Sequence, residues 1–198
     1  MNWRSSSAAM FVTLLVVAGC ASAPPPAPPP APKPECSSGP DWTCFKSGAC
    51  PSTTGLVGIC ARGTADNITS EALGTEVATT RARTEMASYI ESQVQAFVNQ
   101  TQDSMYKSGA GEEATQKVKS MAQSVTKRTL NGVGVPKTYV DRERKLYYAL
   151  AQLDAKTFGD ALKGLKDAGT LSDSVKQDIN KRADAIVDEF ERASARKN

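Results

Sequence analysis

Eight of the eleven prolines in this 198-residue chain fall within residues 24–34, which read PPPAPPPAPKP. Proline fixes φ near about −65° and offers no backbone N–H, so this stretch can join neither a helix interior nor a strand ladder and is held in polyproline II. At about 3.1 Å per residue it makes a semi-rigid spacer of roughly 35 Å. Docking of its PxxP spacing into an SH3-like groove is an alternative use. The spacer divides the chain into a short N-terminal part and a segment with roughly 140 ordered residues, enough for one domain with an adequate core.

The N-terminal part follows the order of an export signal. Arg4 supplies positive charge, residues 8–19 are apolar, and Val17-Ala18-Gly19 places small residues directly before Cys20. A membrane-spanning helix needs roughly 20 apolar residues, and this run is bounded by Ser7 and by Ala21-Ser22-Ala23. The pattern matches a bacterial lipobox, so processing before Cys20 and acylation of that cysteine are expected, with two or three chains giving stable anchoring. An ordinary secretory signal cut at residues 21–23, discarding Cys20, is the competing reading. Position 21 is Ala rather than the Asp associated with inner-membrane retention, which favours an outer-membrane anchor with the domain in the periplasm. The expected organisation is therefore 1–19 signal peptide, 20–34 lipidated cysteine and linker, 35–55 Cys-rich irregular segment, and 56–198 a single domain.

Composition narrows the chemistry. The net charge is +3, from 24 basic and 21 acidic residues interspersed along the chain, so no nucleic-acid partner is expected. With no histidine, the commonest general base and metal ligand is missing, which disfavours hydrolase triads and zinc-protease sites. No catalytic residue, cofactor, metal or small-molecule substrate is expected. Five cysteines become four once Cys20 is acylated, and Cys36, Cys44, Cys50 and Cys60 then suggest two disulfides in an oxidising compartment. Their spacings of eight, six and ten residues contain no C-x-x-C pair, which argues against a zinc knuckle or a thiol-redox motif. Four cysteines allow three connectivities. A turn at residues 51–53 would put Cys44 opposite Cys60 and leave Cys36 with Cys50.

Periodicity predicts the elements. Residues 56–60 form a short apolar run between Gly55 and Gly63, consistent with a buried strand. Asp66 or Thr64 can cap a long amphipathic helix over 65–105, whose apolar positions include Ile68, Leu73, Val77, Met86, Ile90, Val94 and Phe97. Glycines at 109 and 111 break it, and helical spacing resumes over 112–125. Two strands follow, at 138–140 and 146–153, joined across 141–144. In the second, Tyr147, Ala149, Ala151 and Leu153 face one way, while Leu146, Tyr148, Leu150 and Gln152 face the other. Asp154 is placed to cap a helix over 155–166. A last helix over 172–195 carries Asp178 with Arg182 and Asp188 with Arg192 at i,i+4, and its narrow apolar stripe favours packing on its own domain over a coiled-coil partner. The sequons at Asn67 and Asn99 carry little weight in a chain with this anchor.

Three stretches together resemble a known family. They are Gly58-Ile59-Cys60-Ala61-Arg62-Gly63, the helix start around Arg81-Ala82-Arg83, and Leu146-Tyr147-Tyr148-Ala149-Leu150-Ala151-Gln152-Leu153 with Thr138-Tyr139-Val140-Asp141 before it. Over residues 40–160 the chain resembles the LPP-twenty lipoprotein family, whose relatives include flagellar outer-membrane disk lipoproteins. The resemblance implies an α+β fold, a small mainly antiparallel sheet packed against long amphipathic helices with a C-terminal helix. It also implies no enzymatic activity and a structural or assembly role in the envelope, through self-association or an envelope protein partner. The four mature cysteines and the charged C-terminal helix depart from that family's pattern. A binding module that regulates a cell-wall synthase is the alternative function.

Overall fold

A computed structural model describes residues 39–107, 109, 111–168 and 171–196. The expected lipid site Cys20, the spacer at 24–34 and Cys36 lie outside the described residues. By its contacts the chain divides into Met1–Pro32 and Lys33–Asn198, and everything below concerns the second unit. Its class is α+β. Strands β1 (Ser47–Ala49), β2 (Ile59–Asp66), β3 (Gly134–Asp141) and β4 (Leu146–Leu153) form one antiparallel sheet in the order β1-β2-β4-β3. Helices α1 (Glu71–Lys107), α2 (Glu112–Leu130), α3 (Ala155–Lys163) and α4 (Asp173–Ala195) complete the domain.

Small side chains on β2 let the first half of α1 lie directly on the sheet. Ala61 and Ala65 are buried with Ala78, Ala82, Met86 and Ile90 of α1, and a Cβ at Gly63 would run into the α1 backbone at Ala78 and Ala82. The expected strand over 56–60 thus starts later and runs longer, because residues 61–66 continue the ladder with β4 as far as Asp66 opposite Leu146. Alternation of Ala and Gly with Arg62 and Thr64 does not look hydrophobic, but it is what a closely packed helix requires. Neither Thr64 nor Asp66 caps α1. Asn67 turns the chain at φ 56°, and Ser70 supplies the cap, its Oγ accepting from Leu73 N at 3.4 Å. Leu73, expected on the apolar stripe, is 51% exposed; the buried stripe begins at Gly74, whose missing side chain makes room for the Tyr147 ring.

At 1.5 Å per residue α1 is about 55 Å long, roughly twice the reach of an eight-residue strand. Its overhanging half, with Val94, Phe97, Val98, Thr101 and Met105 buried, packs on α2 and α4. The expected helix over 112–125 extends to Leu130. The expected strand over 138–140 extends to Gly134–Asp141, with a register irregularity between Gly134 and Lys137 where Pro136 cannot donate to the ladder. Strand β4 and its two-sided pattern stand as read. Tyr147, Ala149, Ala151 and Leu153 join the core beneath the helices, whereas Tyr148 and Leu150 belong to a second cluster on the other face.

Asp154 caps α3 as expected, Oδ1 accepting from Thr157 N at 2.9 Å; the helix ends at Lys163 and tightens into a 3-10 turn over Gly164–Asp167. Ser172 caps α4, which packs on α3 and α1 of its own domain. Of the two expected pairs on α4, Arg182 Nε meets Asp178 Oδ2 at 2.7 Å, whereas Arg192 Nε donates to the Asp188 carbonyl oxygen at 3.0 Å.

Candidate functional site

The cysteines lead to the sheet face that carries no long helix. There the segment before β2 folds back across the strands: a 3-10 turn at Asp41–Cys44, β1, and a second 3-10 turn at Ser52–Thr54. Residues 39–55, read as irregular, therefore contain a strand and bury Trp42 at 6% exposure. Cys50 and Cys60 are disulfide-bonded with Cα atoms 4.8 Å apart, and both are buried.

This bond overturns the expectation of Cys44 opposite Cys60. Gly48 is the residue opposite Cys60, and Cys50 N donates to Gly58 O at 2.9 Å, so the hairpin centres near Thr54 rather than within 51–53. Cys50, one residue past the end of β1, is thereby brought within bridging distance of Cys60. Cys44 lies in the 3-10 turn instead of the ladder and is disulfide-bonded as well. Cys36 is the fourth expected member and is not among the described residues. A group of three His, Cys, Asp or Glu side chains able to hold a metal ion is not found among the described residues.

Around the Cys50–Cys60 bond, Trp42, Tyr148 and Leu150 form a small core, edged by Phe45, Leu56, Tyr139 and Leu146. Arg62 organises this layer. It projects from β2 with its guanidinium 5.9 Å from the Tyr148 ring centre, and its Nη1 donates to the Thr43 carbonyl oxygen, tying the first turn to the sheet. Tyr139 and Tyr148 lie opposite each other on β3 and β4 with ring centres 6.0 Å apart, and the chain enters beside Tyr139, where Gly39 leaves no room for a side chain. Sequence reading singled out the cysteines, and placed Tyr148 on the β4 face opposite Tyr147, but missed the roles of Arg62, Trp42 and Gly39 and the pairing of Tyr148 with Tyr139. The signal for Arg62 was its parity with Cys60 on β2, which puts both on one face.

On the helical side, the polar contacts among the described residues join one element to another. Asp178 of α4 accepts from Arg182 and from Ser104 Oγ of α1, each at 2.7 Å. Partial burial alone would push its carboxyl up, but those hydrogen bonds outweigh it and hold the carboxyl below the usual range. Lys163 of α3 meets Asp184 of α4 at 2.7 Å, and that hydrogen bond raises the ammonium pKa. Tyr89 packs edge-on to Phe190, its hydroxyl pKa raised by burial and then by Glu189. Arg142 in the β3–β4 turn bonds Glu71 at the start of α1, which raises the guanidinium pKa. Asn67 and Asn99 of the two sequons are both exposed, Asn99 on α1 accepting from Gln95. Among the described residues no helix is long and apolar enough to cross a membrane. No protein-family model matches the chain, and no curated protein matches it.

Proposed function

We propose that this chain is a non-enzymatic, lipid-anchored cell-envelope protein of the LPP-twenty type, held in the outer membrane with its domain in the periplasm in a structural or assembly role, through self-association or an envelope partner. The observation that carries this reading is Val17-Ala18-Gly19-Cys20 behind a short apolar stretch and ahead of a proline spacer. The domain's construction supports it. Both faces of the sheet are filled by the chain's own side chains, so the outer surface is what remains for contact with other molecules. Metabolic labelling with palmitate tests the anchor: label is expected on the wild-type chain and not on Cys20→Ala, and an acylated Cys20→Ala protein would refute it.

The spacer favours a second reading, a binding module that must reach from the membrane to a cell-wall synthase. Deleting residues 24–34 separates the two. A scaffold at the membrane keeps its function without the spacer, whereas a reaching regulator loses it while its domain stays folded.

A further inference from the structure

The near balance of charge in the whole chain conceals one stretch. From residue 114 to residue 140 there are five basic residues, Lys117, Lys119, Lys127, Arg128 and Lys137, and no acidic one. Four of the five lie on α2, and the fold turns them outward. Thr115, Val118, Ala122, Val125 and Thr129 occupy the buried side of that helix, which leaves Gln116, Lys117, Lys119, Ser120, Gln123, Ser124, Lys127 and Arg128 all exposed. The exposed half of α2 after its first turn is thus composed only of cations and neutral polar groups. From Lys117 to Arg128 it extends about 16 Å. Three acids flank it: Glu112, exposed in the first turn, Glu113, which pairs with Lys117 at 2.8 Å with both side chains solvated, and Glu91, which lines with Lys119 and Lys127 a groove of about 400 Å³ between α1 and α2. Exposed pairs of this kind hold their partners weakly.

We propose that the exposed face of α2 docks on an anionic lipid surface, with Lys127 at the middle of the face and Lys117 and Arg128 along one edge and Lys119 along the other reaching down to headgroup phosphates. This rests on the lipid-anchored reading above, which keeps a bilayer within the spacer's reach of roughly 35 Å. The geometry favours a surface over other anions. The cations are strung along one helix rather than converging on a point, so they suit repeated phosphates better than a single bound one. Helix α2 carries no aromatic residue on which a base could stack, unlike the faces that read single-stranded nucleic acid. Its apolar side is committed to the domain, so the contact is electrostatic, without insertion of the helix.

The test uses the unit Lys33–Asn198, which holds every described contact and lacks the apolar N-terminal stretch, so binding through that stretch cannot contribute. Its sedimentation with phosphatidylcholine vesicles, with and without phosphatidylglycerol, is measured at low and high salt. Circular dichroism confirms that each protein is folded. The wild-type unit is expected to bind only the phosphatidylglycerol vesicles and to be released by salt. Each cation near such a surface contributes about fivefold, so K117Q/K119Q/K127Q/R128Q should weaken binding by about twentyfold if two of the four reach the surface and by more if all do. The variant R83Q/K156Q/K181Q/R192Q, which removes the same charge from exposed sites elsewhere, should stay within about twofold of wild type if the face rather than net charge is recognised. Binding of soluble polyphosphate is measured alongside, and three results would each overturn the proposal: no preference for phosphatidylglycerol, equal losses in both variants, or capture of polyphosphate but not of vesicles. The anchor fails separately, by absence of palmitate on Cys20 in a chain whose α2 face still binds vesicles.

Discussion

Gly63 shows how one missing side chain sets the distance between a helix and a sheet. Positioned between Ala61 and Ala65 on β2, it lets the α1 backbone at Ala78 and Ala82 come closer than any Cβ would allow. Backbone on both sides cannot move aside as a flexible side chain could. Gly63→Ala is expected to destabilise the domain by about 3 kcal/mol, the upper range for overpacking, in urea unfolding. Gly134→Ala, at an exposed strand end with open space around its Cβ position, is the matched control and should change stability by about 0.5 kcal/mol or less. Gly58 is constrained twice over: a Cβ there would also run into backbone, at Leu153 and Ala155, and its φ of 118° is left-handed, while Ser194 Oγ near the end of α4 accepts from its N–H at 3.3 Å.

At the scale of elements, the terminal helix is held by a buried stripe and a few polar links. Val175, Ile179, Ala183 and Phe190 supply the stripe, and each large apolar side chain so buried contributes roughly 1.5–3 kcal/mol. Asp178 joins α4 to α1 through Ser104, while Arg182 extends the link to Gln100 at 3.3 Å. Because the folded carboxyl titrates below its unfolded value, its stabilisation is fully present above the unfolded pKa, near about 4, and is lost as pH falls through the folded one. Asp178→Asn should therefore cost about 1 kcal/mol at neutral pH, and the gap from wild type should close as pH falls below about 4. Denaturant unfolding of both proteins across that range checks the sign as well as the size. At α3, the Asp154 cap was readable because a short acceptor just before a helical run satisfies an otherwise orphaned N–H whatever the tertiary setting.

Across the whole molecule, β2 and β4 are shared by two cores, one beneath the helices and one around the Cys50–Cys60 bond. Damage on either side should therefore be felt on both. Replacing both Cys50 and Cys60 with Ser opens a loop of sequence separation 10 and is expected to cost about 2.5 kcal/mol. In the Lys33–Asn198 unit Trp42 is the sole tryptophan, so its fluorescence reports the stapled face while far-UV dichroism reports the helices. In wild type and variant alike the two signals should give one midpoint. Separate midpoints would mean that the stapled segment melts alone and that the shared strands do not couple the faces.

What sequence alone determined here is local. The two-sided alternation of β4, the glycine break between α1 and α2, and the cap at Asp154 all rest on the intrinsic geometry of one segment, and they stand as read. The cysteine pairing, the start of β2 and the true stripe of α1 were decided only by tertiary structure. Cys50 rather than Cys44 meets Cys60 because the hairpin register places it there, and register depends on which residues of two distant segments align. Leu73 turns outward and Gly74 inward because the Tyr147 ring, 73 residues away in sequence, occupies the space above the sheet. Hydrophobicity reports a preference for burial, but a site that accepts only a hydrogen atom favours glycine, and the neighbour that makes it so is set by the fold.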